Sequence, residues 1–294
     1  MATSSRSNGS GSAADAALTR SVPADAVPNT GGGGLAYNVY GEGQTVVLLH
    51  GIPGSRETFT EVGERLGKTC RVVVPDLLGC GDSPDAPAHY HAAEHAEVVL
   101  QFLRQLGIEK LHLVGFDFGG PTAIHVAARL GDRIQSLTVV ATNMFPDTPI
   151  PPPLRIARVP VLGWVFFRLA FGALGLMAMW LAAVADRAAF PFKRYRVALK
   201  GHGVRTTRRI FLRSMRDLPG LYAEVERLGK TLGIPSLVLW GDRDPFFPTT
   251  VGERTARALG AELRVLKGCG HFVPEERPVE TADAIADLVA RSGT

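Results

Sequence analysis

The sequence of 294 residues contains few cysteines, and this scarcity limits where the protein can work. The three that occur, Cys70, Cys80 and Cys269, are far apart and odd in number. A disulfide framework needs cysteines in pairs, so we expect free thiols and a cytoplasmic protein.

The sequence also lacks a strong charge of either sign. Its formal net charge is +4, which is too small for a chain of this length to indicate a nucleic-acid partner. No basic stripe interleaved with aromatic residues occurs, and no zinc-finger or RNA-binding signature occurs either. Hydrophobic residues make up 46% of the chain and charged residues 20%, the balance of a globular protein with a sizeable core.

A long apolar run of membrane-spanning length is missing as well. The uncharged stretch Leu169–Ala185 has 17 residues, about 25 Å as a helix, against roughly 30 Å of bilayer hydrocarbon. We therefore expect a single helix that lines an apolar pocket and no stable membrane span, with transient contact with a membrane surface left open. Residues 1–34 are rich in Ser, Gly and Ala and lack the apolar block of a signal peptide, so a disordered tail is predicted there.

Strand and helix patterns alternate over most of the remaining chain, which predicts an α/β fold with a mostly parallel sheet and helices on both faces. This alternation covers residues 35–143 and 234–294, which form the predicted core. Residues 144–233 show no strand pattern and are predicted to form a helical cap. The predicted strands are Leu35–Tyr40, Thr45–His50, Arg71–Pro75, Leu111–Gly115, Ile134–Ala141, Ser236–Gly241 and Ala261–Leu266.

The predicted cap is strongly basic. Residues 147–230 contain 15 Lys and Arg against 5 Asp and Glu, a net charge of +10 that leaves −6 for the rest of the chain. The excess fits a lid that steers anionic substrates or binds a membrane surface. It equally fits a solvated face that pairs with the acidic core.

The pentapeptide Gly115-Phe116-Asp117-Phe118-Gly119 lies where an apolar strand ends and a helix begins. A residue on so tight a turn needs small neighbours, and the two glycines provide them. The pattern is that of a nucleophile elbow with aspartate in the nucleophile position. A carboxylate that displaces a leaving group from saturated carbon forms an alkyl ester, which water can cleave. Asp117 therefore indicates chemistry at sp³ carbon.

Two later segments supply the other catalytic groups. Asp244 follows the predicted strand Ser236–Gly241, and His271 lies near the end of the chain, so the order is nucleophile, acid, histidine. Asp244 is predicted to orient the imidazole, and His271 to deprotonate the hydrolytic water. Asp242 is the competing acid, although its position directly after the strand is typical of a turn former.

An oxyanion hole is predicted from two backbone N–H groups. They belong to Ile52, in the segment His50-Gly51-Ile52-Pro53, and to Phe118 after the nucleophile. The His50 side chain is predicted to hold this loop and to exchange no proton.

These segments resemble the α/β-hydrolase superfamily, in the branch of epoxide hydrolases and haloalkane dehalogenases. The similarity extends over nearly everything after residue 35 and includes Asp76-Leu77-Leu78-Gly79-Cys80-Gly81-Asp82-Ser83 and Gly270-His271. It implies an eight-stranded, mostly parallel sheet with the helical cap inserted after the sixth strand. It also implies a small hydrophobic substrate, water as the second reactant, and neither cofactor nor metal.

The sequence departs from both groups of enzymes at the site of the leaving group. Haloalkane dehalogenases usually place a tryptophan donor after the nucleophile and a polar residue at the position of Ile52, whereas this chain has Phe118 and Ile52. Epoxide hydrolases usually present two cap tyrosines. The candidate donors here are Trp164, Tyr195 and Tyr222, and each fits a packing role equally well.

The leading hypothesis is an epoxide hydrolase that gives a diol. The alternatives are a haloalkane or haloacid dehalogenase and, from another class, a non-catalytic ligand-binding protein on a hydrolase scaffold. The segment His91-Ala92-Ala93-Glu94-His95 matches a zinc-peptidase pattern, but no third ligand is evident, so no metal site is predicted. The sequence does not determine the oligomeric state.

Overall fold

The computed structural model describes residues 19–22, 34–85, 91–148, 159–198, 209 and 218–292. Its strands form one sheet in the order β1-β2-β4-β3-β5-β6-β7-β8. The two pairs at the β1 edge are antiparallel, and every other pair is parallel. The strands are β1 (Thr19–Val22), β2 (Tyr37–Tyr40), β3 (Thr45–Leu49), β4 (Arg71–Pro75), β5 (Leu111–Phe116), β6 (Ile134–Val140), β7 (Ser236–Gly241) and β8 (Glu262–Leu266).

Helices follow the parallel strands and cover both faces of the sheet. Alternate residues of β3 pack into two separate apolar clusters: Val47 and Leu49 into one, Val46 and Leu48 into the other. This two-sided burial explains why the β3 sequence is apolar throughout. The core helices are α1 (Thr60–Leu66), α2 (Ala92–Gln105), α3 (Gly119–Leu130), α8 (Thr249–Leu259), α9 (Val273–Glu276) and α10 (Pro278–Ser292).

The prediction of a disordered tail is wrong for Thr19–Val22. These four residues form β1, which pairs antiparallel with β2 at the edge of the sheet. The physical reason is that β2 otherwise presents an unpaired row of backbone donors and acceptors, which any nearby extended segment can join. Residues 1–18 and 23–33 of the predicted tail lie outside the described part of the chain.

Between β6 and β7 the described residues contain only helices and loops. They are α4 (Pro160–Ala170), α5 (Ala173–Ala183), α6 (Phe192–Ala198) and α7 (Leu218–Gly229). The single helix predicted over Leu169–Ala185 is wrong: α4 ends within it, and Gly172 takes an extended conformation before α5 begins. A sequence that is apolar on every side carries no periodicity that could locate this break.

No single helix in the described ranges is long and apolar enough to cross a membrane. The pair α4–α5 reaches the necessary length and composition only when both helices are counted together across a bend of 77°.

Candidate active site

The candidate site lies at the carboxyl ends of four parallel strands. The segments that follow β3, β5, β7 and β8 contain Ile52, Asp117, Asp244 and His271. Loops after parallel strands meet along one edge of a sheet, so residues far apart in sequence come together there. The structure brings all four predicted residues into contact.

The nucleophile elbow is tight and strained at its centre. Asp117 has a φ of 49°, in the left-handed region that costs an L-residue about 1–2 kcal/mol. A Cβ on Gly119 would lie 2.2 Å from the carbonyl oxygen of Leu49, and one on Gly115 would lie 2.3 Å from that of Gly119. Any larger residue at either position would therefore push the turn away from the sheet.

A residue that the sequence did not point to also holds this turn. The Thr142 hydroxyl, after β6, donates a hydrogen bond of 2.6 Å to the carbonyl oxygen of Asp117. Gly120 leaves room for it, because a Cβ there would lie 2.3 Å from the Thr142 oxygen. No local signal marks Thr142, since its partner is 25 residues earlier in the chain.

Asp244, His271 and Asp117 form a continuous chain of contacts. The Nδ1–H of His271 donates to Asp244 Oδ2 at 2.9 Å, and Nε2 lies 3.6 Å from Asp117 Oδ2. The other oxygen of Asp244 accepts the backbone N–H groups of Phe246 (2.8 Å) and Phe247 (3.1 Å). This Asx-type turn fixes the carboxylate, and the sequence Asp-Pro-Phe-Phe is its detectable signal. Asp242 instead accepts a hydrogen bond from the backbone N–H of Cys269.

The environment of His271 favours the charged imidazole. Burial alone lowers its pKa, but Asp244 and Asp117 more than offset this effect and raise the pKa to about 10. Four phenylalanine rings lie with centroids 4.9–5.7 Å from the imidazole and exclude water from it: Phe116, Phe246, Phe247 and Phe272. The negative charge of each carboxylate therefore interacts strongly with the imidazole, because little solvent lies between the two groups.

The loop after β3 supplies one hydrogen-bond donor to the nucleophile. The backbone N–H of Ile52 donates to Asp117 Oδ1 at 2.9 Å. His50 is buried behind this loop, where Nε2 accepts the N–H of Leu77 and Nδ1–H donates to the carbonyl of Gly51. Burial lowers the pKa of His50, which keeps the ring neutral in this role. The second predicted donor is the N–H of Phe118, the N-cap residue of α3, and its role stays a prediction.

A buried ion pair stabilises the loop after β3. Arg56 pairs with Asp76 and with Asp82. Asp76 also accepts the backbone N–H groups of Arg56 and Asp82, so its carboxylate joins two loops at the edge of the sheet. The Asp-rich segment after β4 thus has a structural role beside the site.

The three candidate donors of the cap lie in very different places. Trp164 is 52% exposed, and its ring lies 5.6 Å from the Arg168 guanidinium, so the structure places this candidate donor at the surface. Tyr195 is buried among Phe190, Phe192 and Phe272, in the packing role that its sequence also fitted. Every residue of α4 except Arg168 is uncharged, so its sequence gives little indication of which face turns inward.

Tyr222 differs from the other two because it lines a cleft beside the nucleophile. This cleft lies between α7 and the starts of α2 and α3, and Phe118, His125 and Val225 also line it. Burial raises the pKa of Tyr222, and the negative charge of Asp117 raises it further. The phenol is therefore near enough to Asp117 to interact electrostatically and stays protonated at neutral pH.

A carboxylate clamp, unforeseen from the sequence, joins the loop between β8 and α9 (residues 267–272, here called the histidine loop) to the end of α5. Glu276 Oε2 accepts three backbone N–H groups, from Ala185 (2.9 Å), Asp186 (2.7 Å) and Gly270 (3.0 Å). The backbone N–H of His271 donates to the carbonyl of Ala183 at 3.0 Å. The last turn of α5 and the histidine loop are thus one hydrogen-bonded unit.

The described residues include no group of three His, Cys, Asp or Glu side chains that could hold a metal ion. His91 and Glu94 instead form the capping box at the start of α2. All three cysteines are free and buried.

The sheet order and the elbow define the class of protein. A family model described as alpha/beta hydrolase fold matches residues 44–174. A thermophilic esterase from Thermogutta terrifontis superposes with a TM-score of 0.78 at 26% identity, covering 94% of this chain and 100% of that one. The chain has the α/β-hydrolase fold, and it is a hydrolase.

Two further relatives of this chain are enzymes with different activities. A cis-3-alkyl-4-alkyloxetan-2-one decarboxylase from Shewanella oneidensis is 28% identical over 282 residues, which cover 90% of this chain and 87% of that protein. Haloalkane dehalogenase 2 from Mycobacterium tuberculosis is 27% identical over 274 residues, or 87% and 91% of the two chains. These relatives are enzymes, which favours catalysis over the alternative of a non-catalytic binding protein, and their substrates differ.

Proposed function

We propose that the protein hydrolyses a hydrophobic epoxide to a diol through a covalent ester on Asp117. One observation carries the proposal: the two oxygens of this carboxylate are differently placed. Oδ1 accepts the Ile52 N–H, whereas Oδ2 faces His271 and is the oxygen available for attack. A carboxylate in the nucleophile position forms a hydrolysable ester with saturated carbon.

In the first half-reaction, Asp117 Oδ2 attacks an epoxide carbon, and the carbon–oxygen bond of the ring breaks. The opening oxygen becomes an alkoxide, which is strongly basic and needs a proton donor. Tyr222 gives its phenolic proton to this oxygen and regains one from the imidazolium of His271. The transfer to the phenolate is favourable because esterification removes the negative charge of Asp117, one of the two charges that raise the pKa of His271.

In the second half-reaction, neutral His271 takes a proton from water, and the hydroxide attacks the Cγ of the Asp117 ester. Negative charge develops on Oδ1, where the Ile52 N–H already donates. When the tetrahedral intermediate collapses, the alcohol leaves with the proton from His271. The Asp117 carboxyl then returns its own proton to the imidazole, which restores the resting ion pair.

A second candidate is the opening of an oxetan-2-one, a strained four-membered lactone. The relative from Shewanella oneidensis supports it, because that protein is a decarboxylase of alkyl-substituted oxetan-2-ones. Attack on the saturated ring carbon of such a lactone expels a carboxylate, which is far less basic than an alkoxide and needs no acid. Tyr222 would then be dispensable, which separates the two candidates.

Dehalogenation has a similar relative in Mycobacterium tuberculosis but less support within the site. The Ile52 and Phe118 side chains, which flank the nucleophile, are hydrocarbon and cannot donate a hydrogen bond to a departing halide.

The test uses His271→Gln, which lacks the base for ester hydrolysis, and intact-protein mass spectrometry. Incubation with terminal aliphatic and aromatic epoxides should add the whole mass of the epoxide to the protein, at Asp117. A haloalkane would instead add its mass less the hydrogen halide. Asp117→Asn in the same background is the matched control and should take up no label.

The outcomes separate the candidates. The proposal is supported if epoxides label the His271→Gln protein and if adding Tyr222→Phe slows this labelling at least about a hundredfold. Turnover of oxetan-2-ones that is unchanged in Tyr222→Phe, together with no epoxide adduct, would favour the lactone. Labelling by haloalkanes alone would favour dehalogenation.

A further inference from the structure

The helix pair α4–α5 exposes a continuous apolar face. The exposed positions of α5 recur at helical spacing, and all of them are apolar: Ala173, Leu174, Met177, Ala178, Leu181 and Ala182. A surface helix normally turns such a stripe toward the core. Here the stripe faces outward, so it lacks an apolar partner among the residues that the structure describes.

The most exposed side chains lie at the bend of the pair and at its start. Leu174 is 88% exposed, Val161 74% and Leu169 68%. Leu169 and Leu174 flank the bend between the two helices. Exposed apolar patches of this size and continuity mark sites of interaction.

The charges around this face select one kind of partner. Residues 159–198 contain five Lys and Arg but a single acid, Asp186, and that acid is paired with Arg277 at 2.7 Å. A second copy of the chain would bring the same positive charges against these, which opposes self-association. A partner with an apolar interior and a negatively charged surface is complementary to the apolar face and to the positive charges around it.

We propose that α4 and α5 dock the protein on anionic lipid membranes, with their apolar side chains among the acyl chains. Each helix has 11 residues, about 16 Å in length, which suits lying in the interface and not crossing it. Trp164 is exposed on α4 beside Arg168, an arrangement suited to the headgroup level. Lys193 and Arg196, exposed on α6, contact lipid phosphates.

This surface is directly connected to the candidate active site. The carbonyl of Ala183, in the final turn of α5, accepts the backbone N–H of His271, and Glu276 binds the N–H groups of Ala185 and Asp186. An apolar substrate dissolved in the bilayer would therefore be presented beside the histidine loop. The docking itself does not depend on the proposed reaction.

The first test is co-sedimentation of the full chain with vesicles of phosphatidylcholine alone or mixed with phosphatidylglycerol. We expect binding to the mixed vesicles that weakens with added salt. Leu174→Asp should lower the partition coefficient at least about tenfold, because a leucine leaves the bilayer and a negative charge replaces it. Val279→Asp is the matched control: Val279 is 47% exposed but lies on α10, and this variant should bind like the wild type.

The second test separates charge from apolar insertion. Lys193→Glu with Arg196→Glu should remove the preference for phosphatidylglycerol, whereas Lys68→Glu with Lys110→Glu, on the core, should keep it. Binding that Leu174→Asp leaves unchanged would overturn the proposal. So would a wild type that ignores vesicles but forms a dimer that Leu174→Asp disperses in light scattering, since the face would then be a contact between copies.

Discussion

Replacing Glu275 by glutamine should make the protein more stable at neutral pH than the wild type. Glu275 lies in α9 and is buried, and neither of its carboxyl oxygens makes a hydrogen bond of good geometry, although the Thr58 side chain lies close enough to favour the ionised form. Burial raises its pKa to about 8, and the charge of Glu276 adds to the effect, although Thr58 and His271 act in the opposite direction. An ionised carboxylate here would be desolvated with little compensation.

The sign and size of the effect follow from linkage. The folded state holds its proton up to about pH 8, whereas an unfolded chain releases it near the ordinary pKa of 4.5. The stability that Glu275 contributes is thus fully present below pH 4.5 and is lost as the pH rises through about 8. At about 1.4 kcal/mol per pH unit, the loss by pH 7 is about 3 kcal/mol. Glutamine is neutral throughout and keeps this stability.

The assay is equilibrium unfolding in urea at several pH values from about 5 to 9, for the wild type and Glu275→Gln. Titrations common to both proteins cancel in the difference between their unfolding free energies. That difference should move in favour of the glutamine variant as the pH rises. Exposed Glu253 on α8 provides the control, and Glu253→Gln should show no such trend. A difference for Glu275→Gln that is constant across this range would refute the reasoning.

Four further results are expected. Asp244→Asn should slow turnover by about 10⁴-fold and let the Asp117 ester accumulate, as seen by single-turnover mass spectrometry, because the imidazole loses its orienting partner. Tyr195→Phe should leave epoxide turnover within a few-fold of the wild type in steady-state assays, while Tyr222→Phe should lose about 10²–10⁴-fold; equal losses would contradict the assignment. Glu276→Ala should lower the unfolding free energy by about 3 kcal/mol in urea melts, because three buried N–H groups lose their acceptor. Asp117→Asn should lower the pKa of His271 below about 10, followed by NMR titration of the imidazole, since one of the two carboxylates that raise it is removed.

Features that depend on local sterics could be predicted from the sequence. A strand, a turn between glycines and a helix specify an elbow over five residues, so Asp117 is located by its immediate neighbours. Asp244 and His271 follow strands of the same parallel sheet, whose carboxyl ends must meet at one edge. Strand and helix alternation predicted a mostly parallel α/β fold, and the resemblance of the motifs implied the α/β-hydrolase fold; both are confirmed.

Features that depend on distant partners could not be predicted. The clamp of Glu276 on Ala185 and Asp186 spans about 90 residues, and no spacing rule connects such positions. The choice among Trp164, Tyr195 and Tyr222 needed the orientations of α4, α6 and α7, which depend on contacts with distant elements and not on the local sequence.

The high pKa of His271 is incompatible with a base that acts at neutral pH, unless the reaction itself lowers it. In the resting site two carboxylates hold the imidazole charged, and a charged imidazole cannot deprotonate water. Esterification of Asp117 converts one of these carboxylates into a neutral group at the moment when a base is first needed. Only the Asp244 carboxylate then remains at 2.9 Å, opposed by the burial that lowers the pKa. In the proposed reaction, therefore, formation of the ester also activates the residue that hydrolyses it, and free water meets no competent base before substrate has reacted.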